Sequence, residues 1–436
     1  MFPLRRPVLV AVLVAALGWS ATAVAGAAPG TRSPDAAAAQ SATAQSATAP
    51  STAALPTAAV AIGDSFISGE GAGSYLPVTD VNGVAQGFPG WSAPNSNAFF
   101  CHRSANASLL KADLPGIQAR FNLACSGGQP HDVANASGNR EKGRAVASQL
   151  DQLRAVAGAH DIDLVLVGLG SNNSSFTFGD VATLCANRFI ADAWTGWWEF
   201  WAGDPPQAPC AVSDLATEEE IAAATTETTA ALRQLLTTLA QVDADGRHRV
   251  VFQDYTNPLP LDIAAQYHEE EGRDDTRDKF RALGAERYAA GCPVHRASLA
   301  PGHVFSSRLG TVVQGSHAAL SAEFPAADLV YLNVQRAFDG ARLCERDDSP
   351  ANALATPIRL QDGPSGTFLT SLSGYDKIAV QRIANTCATH FQTCQESWHP
   401  NAAGHAVLGR CLTGAAATTT RAVACARSAD GNITVG

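Results

Sequence analysis

Charge is scarce in this chain. Only 16% of its residues are charged, against about 25% in an average soluble protein. The deficit is sharpest in lysine, with 4 Lys against 26 Arg, and Met1 is the only methionine. That bias, with the abundant alanine, reads as GC-rich coding rather than function. There is no basic excess either: 30 bases face 40 acids, for a net charge of -10. A nucleic-acid surface needs a basic field, so that class is disfavoured. No apolar run reaches the roughly 18 residues of a membrane span. Cys-x-x-Cys is absent, which argues against zinc ribbons. So is Gly-x-Ser-x-Gly, the elbow of the α/β-hydrolases. His268-Glu269-Glu270-Glu271 starts like a zinc-protease motif but lacks the second His, and reads as a solvated acidic face.

What is present is apolar bulk. Hydrophobic residues are 46% of the 436, enough for a sizeable core. Arg5 and Arg6 precede an apolar run over 8–19 and small residues over 21–28. This pattern predicts a signal peptide over 1–28. Its removal would take the charge from -10 to -12, since Arg5 and Arg6 are its only charged residues. Residues 29–56, rich in Ala, Thr, Ser and Pro, read as a flexible linker. The ten cysteines are then read in an oxidising compartment, where an even number implies disulfides. The expected product is secreted and extracellular, with one domain over 57–430 and an insertion around 180–215.

Five short apolar runs read as buried strands: 58–62, 120–124, 162–167, 249–253 and 329–334. Between them lie helical patterns. The clearest covers 217–242, with Leu232, Leu235, Leu236 and Leu239 on one face and Glu218, Glu219 and Glu220 in the first turn. Alternation of this kind predicts an α/β fold, a mainly parallel sheet covered on both faces. Ligands of such sheets collect at the C-terminal strand ends.

Four segments follow strands or close the chain there. Gly63-Asp64-Ser65 places a serine past the first strand, where a hydroxyl can face a cleft. Taken alone it is a common turn. Cys125-Ser126-Gly127-Gly128 follows the second, and glycine lets a backbone N–H approach a ligand. A tight turn explains it equally. Gly170-Ser171-Asn172-Asn173 follows the third; its amide is either a donor into the cleft or a helix cap. His399-Pro400-Asn401, with Glu396 three residues before it, is a base or a structural loop histidine. Together the four supply a nucleophile, a base and three oxyanion donors.

In this combination the chain resembles the GDSL-type, or SGNH, hydrolases, whose Ser, Gly, Asn and His match Ser65, Gly127, Asn172 and His399. The likeness is nearer to secreted actinobacterial members. It includes Gly-Asp-Ser-Phe-Ile-Ser-Gly-Glu-Gly at 63–71, Cys-His-Arg-Ser at 101–104, Ala-Cys-Ser-Gly at 124–127 and His-Pro-Asn-x-x-Gly-His at 399–405. It spans about 58–410. The resemblance implies a three-layer α/β/α sandwich on a five-stranded sheet in flavodoxin-like order, with long disulfide-braced insertions. It also implies an acyl-enzyme mechanism without metal or cofactor. Ser65 attacks an ester, His399 moves the proton, and the Ser65 N–H, the Gly127 N–H and the Asn172 amide hold the oxyanion.

Two positions depart from the family pattern. Glu396 stands where Asp is usual; either its longer arm orients His399 or a backbone carbonyl does. Asn173 replaces the usual Asp of Gly-Gly-Asn-Asp. Asp64 is, by the same likeness, structural, and His405 reads as packing. The resemblance pairs Cys101 with Cys125, Cys185 with Cys210 and Cys292 with Cys344, which leaves Cys387–Cys394 and Cys411–Cys425. Trp194, Trp197, Trp198 and Trp201 share one helical face. They form either a small core or, through Trp197 and Trp198, an acyl-binding or lipid-surface wall. The expected function is therefore a monomeric secreted esterase or lipase for small-molecule or lipid esters. A carbohydrate O-acetyl esterase and a catalytically idle binding domain are the competing readings.

Overall fold

The structure is a computed structural model. It describes residues 54–76, 101–135, 147–179, 181–182, 184–186, 188–189, 209–242, 247–268, 287, 290–346, 352–355 and 398–436. The proposed signal and linker segments, apart from the last residues of the linker, lie outside them. So do Trp194, Trp197, Trp198, Trp201, Glu396, Cys387 and Cys394.

One sheet carries the fold. Its strands in chain order are β1 (Thr57–Gly63), β2 (Ala119–Asn122), β3 (Asp161–Gly168), β4 (Arg249–Gln253), β5 (Asp328–Arg336), β6 (Ala422–Arg427) and β7 (Ile433–Val435). They lie side by side as β2-β1-β3-β4-β5-β6-β7, parallel except for the final antiparallel pair. The first five reproduce the expected order. The sheet has seven strands rather than five, because the chain's end adds two. Those last strands are short, with half-exposed alternation rather than continuous apolar runs, so they gave no buried-strand signal.

In β1, Ala58 to Gly63 are buried without alternation, as a strand covered on both faces requires. Helices among the described residues include α1 (Ser65–Ser68), α2 (Ser108–Lys111), α3 (Gln149–Ala157), α4 (Glu218–Val242), α5 (Leu299–Glu323) and α6 (Ala402–Ala417). Helix α4 packs along α5 and touches α3, and α5 lies on β4 and β5. Helix α6 packs on α2 and reaches β4, β5 and β7. Leu232, Leu235, Leu236 and Leu239 of α4 are all buried, so the leucine stripe is the face turned to the core.

Covalent ties hold the loops that run off this sheet. Cys101–Cys125, Cys185–Cys210, Cys292–Cys344 and Cys411–Cys425 are disulfides. Past the end of β4, Asp254 is fully enclosed. It accepts the Val334 N–H at 2.6 Å and the Tyr331 hydroxyl at 2.9 Å, joining the ends of β4 and β5. Burial pushes its pKa up to about 7. No described helix is long and apolar enough to cross a membrane.

Candidate active site

β1 lies between β2 and β3, at the point where the strand order reverses. Open parallel sheets build their ligand crevice there. The chain leaves β1 through Gly63, whose φ of 151° and proximity to the Gly168 carbonyl leave no room for a Cβ. Asp64 then caps the single turn of α1, accepting the Phe66 N–H at 3.1 Å. Ser65 opens that turn.

Asp64 is a hub rather than a reacting group. Its carboxylate accepts the Tyr255 hydroxyl at 2.6 Å and the Ser171 hydroxyl at 2.7 Å. One side chain thus ties the ends of β1, β3 and β4. Burial raises its pKa to about 6 against the pull of those donors. Gln149, at the start of α3, adds a second tie. Its amide accepts the Gly63 N–H at 2.8 Å and donates to the Gly63 carbonyl at 2.9 Å, like a strand partner.

His399 Nε2 stands 2.8 Å from Ser65 Oγ, and both residues are buried. The loop that presents the histidine is held from several directions. Trp398 has a φ of 62°, costly for a bulky residue, and its indole N–H donates to the Gly291 carbonyl at 3.0 Å. Asn401 caps α6 through the Gly404 N–H at 2.9 Å and donates to the Ala353 carbonyl at 2.7 Å. A Cβ on Gly404 would fall 2.1 Å from the Leu354 carbonyl, so the helix can sit this close only with glycine there. The imidazole packs against Phe66 and Phe178, with centroids at 4.8 and 5.6 Å. His405 is fully enclosed, and burial, with the charge of His399, drops its pKa to about 3. It is a neutral packing group.

The amide nitrogen of Asn172 is buried and has no hydrogen-bond partner. A buried donor left unmatched costs about 1–3 kcal/mol and calls for an explanation. The neighbouring Asn173 accepts the N–H groups of Ser175 and Phe176 with its side-chain oxygen at 2.8 and 3.1 Å, and its amide nitrogen, like that of Asn172, is buried without a partner. Gly127 has a φ of 71° and lies in the loop after β2. That loop is drawn to β1 by the Cys125 N–H, which donates to the Gly63 carbonyl at 3.1 Å.

A second buried cluster backs this loop. The Glu70 carboxylate, fully enclosed, accepts from His102 Nδ1 at 2.7 and 2.8 Å and from the Ser126 hydroxyl. Tyr75 stacks on His102 at 4.7 Å. Burial pushes the Glu70 pKa up, but the charge and hydrogen bond of His102, the charge of His399 and the Ser126 hydroxyl outweigh it. They hold the carboxyl below its usual range.

The structure thus brings Ser65 and His399 into contact and sets Gly127 and Asn172 in the segments that follow β2 and β3, the two neighbours of β1. Glu396, Trp197 and Trp198 lie outside the described residues. Gln149, Tyr255, Phe178 and the Glu70–His102 pair were not foreseen in these roles. Tyr255 stands directly after β4, so the strand-end rule that found Asn172 could have found it. Gln149 opens a helix far along the chain and carried no such signal. Among the described residues no group of His, Cys, Asp and Glu could hold a metal ion.

No protein-family model matches the chain, and no curated protein matches it. Among solved structures, it is similar to a phospholipase A1 from Streptomyces albidoflavus. The sequence identity is 18%, the TM-score is 0.37, and the match covers 81% of this chain and 95% of that one.

Proposed function

We propose that the protein is a serine hydrolase of carboxylic esters, of the SGNH type, exported by its N-terminal segment and built as one domain that begins at 57 and extends past the expected 430 to include β7. The observation that carries this reading is the 2.8 Å contact between His399 Nε2 and Ser65 Oγ at the reversal point of a parallel sheet. The unmatched Asn172 amide beside it and the four sequence blocks support the same reading.

The chemistry follows from the placement. His399 takes the Ser65 proton as Oγ bonds to the ester carbonyl carbon, and the carbonyl oxygen becomes the oxyanion. The Ser65 N–H, the Gly127 N–H and the Asn172 amide receive that charge. Collapse of the intermediate breaks the bond to the alcohol, which leaves with the proton held by His399. Water then repeats the sequence on the acyl-enzyme and releases the acid. A carboxylate is not required to touch His399 for these transfers; Glu396, if it reaches the ring, adds orientation. Among esters, acyl lipids are the proposed class, on the strength of the Trp194, Trp197, Trp198 and Trp201 face.

The mature protein is expected to hydrolyse p-nitrophenyl esters. Ser65→Ala and His399→Ala should each lose at least about a thousandfold in kcat. Undiminished hydrolysis by Ser65→Ala overturns the mechanism.

A further inference from the structure

Catalysis through an oxyanion hole depends on where its donors sit before the substrate arrives. In this fold two of the three donors hang on different segments. The Ser65 N–H belongs to the turn after β1, and the Gly127 N–H belongs to the loop after β2. Ties between those segments fix their separation; the Asn122 side chain donates to the Ser68 carbonyl and accepts the Ala124 N–H, and the Glu70 side chain reaches nearer the donor itself. The Glu70 backbone N–H donates to the Ser65 carbonyl at 3.1 Å, so the residue is part of the nucleophile turn. Its carboxylate accepts the hydroxyl of Ser126, the residue directly before Gly127.

The surroundings show what makes this buried charge sustainable. His102 Nδ1 stands 2.7 Å from it, and Tyr75 covers the imidazole. The segment carrying His102 is itself anchored to both sides. The Ser104 N–H donates to the Ser68 carbonyl at 2.9 Å, and the Ser126 N–H donates to the Cys101 carbonyl at 3.1 Å. The Arg103 guanidinium, also buried, donates to the Ala124 and Leu123 carbonyls at 2.8 and 2.7 Å. Cys101 is bonded to Cys125. Each residue of the 101–104 block therefore grips either the nucleophile turn or the oxyanion loop, and Glu70 sits between the two. A surface ion pair would add little. A buried, hydrogen-bonded carboxylate bridging two loops fixes geometry instead.

We infer that Glu70, hydrogen-bonded to His102, is a positioning residue that sets the Gly127 N–H against Ser65 through the Ser126 hydroxyl. This rests on the hydrolase reading above. Glu70 touches no reacting atom. Its effect should appear in transition-state binding and not in ground-state binding.

The test compares Ser126→Ala, Ser126→Thr and Glu70→Gln on a p-nitrophenyl ester, with inhibition by an alkyl boronic acid that adds to Ser65 and mimics the tetrahedral intermediate. Ser126→Ala should lower kcat about 10-fold, and Glu70→Gln about 100-fold, with KM within about twofold of wild type. Boronate affinity should fall by the same factor as kcat/KM. Ser126→Thr, which keeps the hydroxyl, should recover to within about threefold of wild type. If Glu70→Gln does not fold, the half-buried Ser126 pair decides alone. Wild-type kcat in Ser126→Ala overturns the inference, as does a fall in kcat with unchanged boronate affinity. Full activity in Ser65→Ala would instead overturn the hydrolase reading, so the two failures are distinct.

Discussion

At the scale of single residues, the site divides into groups that react and groups that hold them. Asp64 illustrates the second kind. Its charge is buried, yet three donors from two neighbouring strand ends converge on it, so it works as a rivet beside the nucleophile. Asn172, on the proposed mechanism, meets the oxyanion instead. Its amide nitrogen has no partner in a place where an idle donor is costly. Substituting Asn172→Ala should therefore remove a transition-state contact and relieve the folded state of an unmatched group. The expected result is a fall of about 100- to 1,000-fold in kcat, with KM little changed and the thermal midpoint equal to or above that of wild type. Steady-state kinetics beside a melting curve check both halves. A large loss of stability would mean that the side chain is structural.

At the scale of elements, the question is how a histidine far along the chain is delivered to a serine at the end of the first strand. The answer lies in the start of α6. Asn401 caps the helix and pins the preceding segment to the carbonyls of Ala353 and Ala355, and Gly404 permits close approach to Leu354. Replacing Asn401 by Ala removes a cap worth about 1 kcal/mol together with those tethers. The variant should melt several degrees lower and lose activity because His399 loses its aim. Differential scanning calorimetry and ester turnover report the two effects. Retention of full kcat would show that Trp398 and its bond to Gly291 suffice to hold the loop.

Much of this element scale was readable from residue patterns. Continuous apolar runs marked β1, β3, β4 and β5, and the leucine stripe marked the buried face of α4, since burial on two faces or one writes itself into composition and period; β2, expected as a buried strand over 120–124, is an edge strand over Ala119–Asn122 with every residue half-buried. The edge strands β6 and β7 were not readable, because a half-exposed strand with alternating small residues leaves no such trace. The site was readable where function demands rare combinations after strand ends, as at Ser65 and Asn172. Gln149 and the Glu70–His102 pairing were opaque, because their meaning arises only when distant segments are folded together. Glu70 and His102 did lie inside quoted motifs, but a motif does not say which of its members touch.

At the scale of the whole molecule, a parallel sheet reverses order at β1, where Ser65 and His399 meet, and disulfides tie segments distant in sequence. The central claim is that this architecture activates Ser65. A fluorophosphonate probe reacts with a serine whose proton is accepted by a poised base and whose developing oxyanion is held. Mature protein treated with such a probe and digested should carry the adduct, near one per chain, on the peptide containing Ser65. His399→Ala should remain unlabelled on the same timescale. Absence of label on folded wild-type protein, or label on a different serine, would contradict the account.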